Sequence, residues 1–296
     1  MYNLLSGLER FGLEASVENI TAEEVKMSAK ADGEEETAAE GPKETDYLFL
    51  KSFECPICDA KFKFPVLKSG RARRMEPDVD LRSKCEHIDP YKYDTASCPK
   101  CGFTAMQRYF GHLLPTQRKI IQEQLCQKIQ VFPVSEFKEI REIDYDTAIE
   151  LYKLSLYGTI IKRGAMSEKA YSCLKISWLL RGKMEMLVAD DIDKNKEEIL
   201  RCRADYQSFY VQAFEGFVKA MSSENYPMCG MDQNTVDLLI AAMAYNLGKY
   251  DYASRFVSEL IVSRTVGSNV KKRARDLKER ISDKLKEQKQ AMLKNQ

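Results

Sequence analysis

The chain reads as α+β and mostly α: a small β-rich head, a helical array after it, and a disordered tether in front. Three observations carry that reading. Two CxxC pairs, ECPICD and SCPKCG, lie among short alternating apolar and polar stretches. From Pro115 onward the apolar residues recur at helical spacing, and between residue 13 and Tyr47 large ones nearly vanish. The chain has 296 residues, 44% of them hydrophobic, enough for a buried core in about two units.

The first unit, 1–46, begins with MYNLLSGLERFGL, where Leu4, Leu8 and Phe11 share one helical face. A short amphipathic helix is predicted there, delivered by a tether into a groove on a partner or on the chain's own array. Gly7 and Gly12 weaken that helix by about 1 kcal/mol each, and fraying is the bland alternative. The run GEEETAAEGPKET buries too little to offset its ordering entropy and reads as a disordered acidic linker.

The second unit, 47–112, carries the cysteines. YLFLKSF, KFKFPVL and YKYDTAS read as strands, broken at KSG, EPD and DP.

The third unit, 113–296, reads as helical throughout. Pro115 opens a helix that turns Ile121, Leu125 and Ile129 inward. Asp144 or Asp146, then Ser167, then Asp232 are the expected N-caps, and Gly248 the expected stop. Tyr206, Tyr210, Ala213, Phe217 and Met221 form an apolar stripe, and a final helix sets Val270, Ala274, Leu277 and Ile281 against a basic outer face. In LLIAAMAYNLGKYDYASRFVSEL, Ala241, Gly248, Tyr250 and Ala253 stand where a tetratricopeptide unit needs small and aromatic residues. A weaker version precedes it, so the array is repeat-like.

Charge is segregated. Residues 1–46 hold 4 basic and 12 acidic side chains, a net of −8, and residues 264–296 hold 11 and 4, a net of +7. No secretory pattern and no long apolar run is seen, so the chain is expected to be neither exported nor membrane-spanning. Nine cysteines in such a chain are mostly reduced thiols, which makes CxxC pairs metal ligands before disulfides.

Cys55, Cys58, Cys98 and Cys101 suit a closed tetrahedral zinc site, with Zn–S of ~2.3 Å. Gly102 permits the left-handed turn behind the second pair, and Asp59 substitutes behind the first. Phe53, Phe62 and Phe103 flank the pairs. The 39-residue spacer between Cys58 and Cys98 is long and contains Cys85 and His87, alternative ligands whose close spacing strains joint binding to one ion. A redox dithiol is the third reading, although it wants a single CxxC in a βαβ setting. Cys126, Cys173 and Cys202 read as small core residues, and Cys229 as a loop thiol.

Asp78 and Asp80 resemble a divalent-cation DxD, against the plainer reading of a structural turn. Lys68, Arg71, Arg73 and Arg74, with the basic last helix, would contact phosphates in a nucleic-acid-binding zinc protein. The plainer reading is a solvated loop and a solvated helix face. Two histidines, His87 and His112, leave little for histidine chemistry, and no phosphate loop, nucleophile elbow or HExxH is present.

CPIC, RRMEPDVDL, IDPYKYDTASCPKCGF and the later AYSCLKISWLLR together resemble a bacterial family of unknown function, number twenty-two twenty-five, over about Tyr47 to Leu285. IDP stands here for the family's NP and CGF for its CGY; CEH is particular to this chain. The resemblance implies a bacterial cytoplasmic protein and assigns no activity. The expectation is a non-enzymatic adaptor: structural Zn²⁺ fixes the head, and the array takes a protein or peptide partner. A nucleic-acid-binding protein and a metal-dependent enzyme using Asp78 and Asp80 are the rival classes.

Overall fold

The computed structural model describes residues 3–13, 15–21 and 43–294, with side chains to 290; most of the predicted acidic linker, 22–42, lies outside the described residues. The fold is α+β and mostly α, as expected.

Alternation builds the head's first hairpin. β1 (Leu48–Glu54) and β2 (Lys61–Leu67) pair antiparallel, from Leu48 opposite Leu67 to Glu54 opposite Lys61. The second hairpin is shorter: β3 (Thr95–Ser97) pairs with β4 (Thr104–Met106). The predicted strand over YKYDTAS is therefore mostly wrong. Asp89 accepts from the Tyr91 amide and Pro90 follows at the first position, so Pro90–Tyr93 winds into a 3-10 turn and only its tail extends.

Seven α-helices follow among the described residues: α1 (Pro115–Ile121), α2 (Tyr145–Ile161), α3 (Met166–Asp191), α4 (Lys196–Met221), α5 (Gln233–Asn246), α6 (Tyr250–Val262) and α7 (Ser268–Lys294). α1 runs on as a π turn over Gln122–Cys126 and buries Ile121 and Leu125. Asp144 and Asp232 cap α2 and α5 through the amides of Thr147 and Thr235. α3 and α4 form a long antiparallel hairpin, and α2 lies between α3 and β4. Gly248, in the left-handed conformation (φ 73°), turns α5 into α6, where Ala241 and Ala253 are fully buried.

Two helical expectations fail. Residues 127–144 are not helical, because Pro133 lacks an amide hydrogen and clashes with the preceding turn; Val134, Phe137 and Ile143 are buried from irregular backbone instead. Ser167 does not cap α3, which starts one residue earlier; its amide and hydroxyl donate to the Glu224 carboxylate.

The N-terminal segment is not an amphipathic α-helix. Gly7 (φ 98°) and Gly12 (φ 78°) are both left-handed and confine regular structure to one 3-10 turn, Leu8–Phe11. Leu4, Leu5, Leu8, Phe11, Leu13, Val17 and Ile20 are nonetheless buried, in the same continuous core as the head and the array. Leu4, Leu8 and Phe11, marked as partner contacts, thus lie within the chain's own core. The rest of the chain also holds this segment through its main chain. Lys153 Nζ donates to the Ser6 carbonyl at 2.6 Å, the Gln130 amide to Phe11 at 2.8 Å, and the Ile20 amide donates to Gln212 Oε1 at 2.8 Å.

Candidate metal centre

Each cysteine pair sits on a tight turn at the end of a hairpin. In the first, the Cys55 amide donates to Ala60 and the Asp59 amide to Cys55, both at 2.9 Å; in the second, Cys98 donates to Phe103 and Gly102 to Cys98, both at 2.9 Å. Asp59 (φ 55°) and Gly102 (φ 70°) are both left-handed, as the spacing required. Gly102 is needed for space as well, since a Cβ there would lie 2.3 Å from Ile129 Cδ1.

The two turns face each other. The Sγ atoms of Cys55, Cys58, Cys98 and Cys101 all lie within 4.8 Å of one another, with Cys55 to Cys101 at 3.5 Å and Cys58 to Cys98 at 3.6 Å. A tetrahedron with Zn–S of ~2.3 Å has sulfur–sulfur edges of about 3.8 Å, so the four are close enough together to hold a metal ion. Cys55 and Cys98 are buried, Cys58 and Cys101 half-buried. Phe53, Phe62 and Phe103 pack round Phe110 at ring distances of 5.1 to 5.8 Å and screen this end of the head.

Crowded sulfurs resist joint ionisation. Hydrogen bonding from Cys101, then Cys55, holds the Cys98 thiol below its usual range. Cys101 is pushed up, first by Cys126 of the π turn and then by Cys55 and Cys98. Cys55, despite its bond to Cys101, is pushed up to about 12 by Cys98 and burial. A cation at the centre would relieve that repulsion, which a lone dithiol would not need.

Cys85 and His87 are absent from the cluster. Cys85 bridges by backbone to Arg74, and the His87 ring stacks on Tyr47 at 6.3 Å. Cys173 and Cys202 are core residues as expected, but Cys126 is half-buried against Cys101. Cys229 lies in a turn, as expected of a loop thiol, but it is buried and donates to the Ser167 carbonyl at 3.2 Å.

Asp78 and Asp80 are held by cations of this chain. Arg181 donates to Asp80 Oδ2 at 2.6 Å and to Asp78 at 3.0 Å; Lys84 pairs with Asp78 at 2.9 Å. Asp80, fully buried, also accepts from Trp178 Nε1 at 3.1 Å and Tyr210 Oη at 3.0 Å. The DVDL stretch of the head and the WLLR stretch of α3 are thus two halves of one lock. Sequence reasoning had both motifs but not their pairing, since Asp80 and Arg181 stand 101 positions apart. Arg71, Arg73 and Arg74 are exposed on a loop, Arg73 beside Glu86 at 3.2 Å.

One family model, described as an uncharacterized protein conserved in bacteria (DUF2225), matches residues 48–281. The chain belongs to that family. The match runs from the first residue of β1 to the buried Ile281 of α7, so it spans the cysteine turns, the aspartate–arginine lock and the array. Neither the curated proteins nor the solved structures contain a match.

Proposed function

We propose that this chain is a non-enzymatic bacterial adaptor, cytoplasmic, in which one structural Zn²⁺ staples the head and the helical array takes a protein partner. The four-sulfur cluster carries the reading. Four convergent thiolates prefer a soft tetrahedral ion and leave no open coordination position for catalysis. Cytoplasmic residence is supported by nine free thiols; among the described residues no helix is long and apolar enough to cross a membrane.

Support for a protein partner comes from the tip of the α3–α4 hairpin. Met186, Val188, Ile192 and Leu200 are exposed there without core partners. The enzyme reading through Asp78 and Asp80 has little footing, because their oxygens already accept from Arg181, Lys84, Trp178 and Tyr210.

Elemental analysis of protein purified without chelator should find about one equivalent of zinc per chain. Cys98→Ser should lose it and Cys85→Ala should not. Equal loss from both, or iron in place of zinc, would refute the assignment. For the array, Ile192→Glu with Leu200→Glu should abolish partner recovery and leave the zinc content unchanged; full recovery would move the partner surface elsewhere.

A further inference from the structure

The outer side of the head carries a groove that the scaffold reading does not use. Two cavities, of about 640 and 770 Å³, adjoin there and share Lys61, Phe62 and Glu136, so they form one continuous depression. It runs from the β1–β2 hairpin, across the tip of the second cysteine turn, to the loop at 132–138. Its floor is aromatic. Phe53 is half-buried and stacks on Phe62 at 5.8 Å, Phe137 stands behind them, and Phe132 is 46% exposed at the far end.

The rim is cationic. Lys61, Lys63, Lys100 and Lys138 all line the groove and are exposed. None of the four forms an ion pair with the described residues; the lining acids are Glu54 and Glu136. Unpaired lysines around ring faces suit a ligand that carries anions at regular spacing and flat apolar groups between them. A duplex hides its base faces, and an acidic peptide would satisfy the lysines without using the rings.

We propose that this groove binds a short run of single-stranded nucleic acid. The phosphates lie on Lys61, Lys63, Lys100 and Lys138, and the bases stack against the exposed Phe132 ring, since Phe53 is already flanked by Phe62 and Lys51. This goes beyond the scaffold reading and rests on the groove's shape, whichever ion the cysteines hold. It also moves the nucleic-acid surface away from Arg71, Arg73, Arg74 and α7, where sequence alone had put it.

The test is fluorescence anisotropy of the full-length protein with a labelled short oligothymidylate across a salt series. Four phosphate contacts predict a log–log salt slope of about −3. Lys63→Glu with Lys138→Glu, and separately Phe132→Ala, should each weaken binding by about tenfold or more, with Phe132→Tyr restoring it. Lys286→Glu with Lys289→Glu, an equal charge change on the exposed end of α7, should leave binding within about twofold. Circular dichroism and zinc content should be unchanged in all variants. No binding at low salt overturns the proposal, as does an equal effect of the α7 variant. Tighter binding of a duplex overturns it too, and so does competition by polyglutamate as strong as by the oligonucleotide, which would point to an acidic protein instead.

Discussion

Asp80 shows why a carboxylate motif needs its surroundings before it needs a metal. Burial alone would destabilise both its charge and that of Arg181. Burial works against the Arg181 cation, but the Asp80 carboxylate outweighs it and raises the guanidinium's pKa. Removing one partner strands the other. Asp80→Ala should therefore cost about 3–5 kcal/mol, a fall in Tm on the order of 10 °C, and added Mg²⁺ or Mn²⁺ should not stabilise the wild type. A loss under about 1 kcal/mol would show the pair to be dispensable. Asp237 presents the opposite case. Burial, then Glu259 and Asp232, push its carboxyl up to about 6 from 3.8. A raised acid pKa means the folded state holds the proton more tightly, so stability is lost as pH rises from about 4 to 6 and the full penalty is present above that. Asp237 is only half-buried, so solvent discounts the penalty to about 1 kcal/mol. Asp237→Asn should be more stable than wild type at pH 7 and equal to it near pH 3.5 in paired denaturant titrations.

At the scale of elements, local chemistry was legible and distant pairing was not. The β1–β2 hairpin, both cysteine turns and the caps Asp144 and Asp232 follow from a few neighbouring residues each, and the structure has them. The aspartate–arginine lock, the burial of Cys229 against Ser167 and the docking of the N-terminus join residues far apart in the chain, where periodicity carries no signal. In the N-terminal segment the helical spacing of Leu4, Leu8 and Phe11 misled, because the segment packs as irregular chain around one 3-10 turn. Seven large apolar side chains are buried there against the ordering cost of the backbone, so single contacts should matter. Gly12 is the sharpest case. Its φ is +78°, and a Cβ would lie 2.6 Å from Gln130 Cγ. Gly12→Ala should cost about 1–2 kcal/mol and raise amide exchange across residues 3–20. Deleting 1–13 should destabilise the array too, because it uncovers the α2 surface that Lys153 now ties to this segment. Unchanged stability of both variants would mean that the segment only lies against the array and adds nothing to it.

For the whole molecule the question is whether head and array melt as one. Many contacts cross between them, the Asp80–Arg181 and Asp94–Lys175 pairs included. Tyr91 of the head tilts against Trp178 of α3 at 4.9 Å, the Trp178 indole donates to Asp80, and the Met106 amide donates to Ser155 of α2 at 3.2 Å. The apolar core is also continuous across the junction. Trp178 is the chain's only tryptophan. A residue of the array thus reports on the loop that joins the two cysteine turns in sequence. A structural four-sulfur zinc site can contribute on the order of 10 kcal/mol to folding. Stripping it with a strong chelator should loosen 78–93, free the Trp178 indole from Asp80 and shift its emission to the red, although Trp178 is not among the cluster's ligands. The far-UV signal of the helices should then melt in one transition at lower temperature, and zinc should restore both signals together. If chelation removes the metal and leaves the Trp178 emission in place while the helices melt as before, the head is an independent unit and the lock does not couple it to the array.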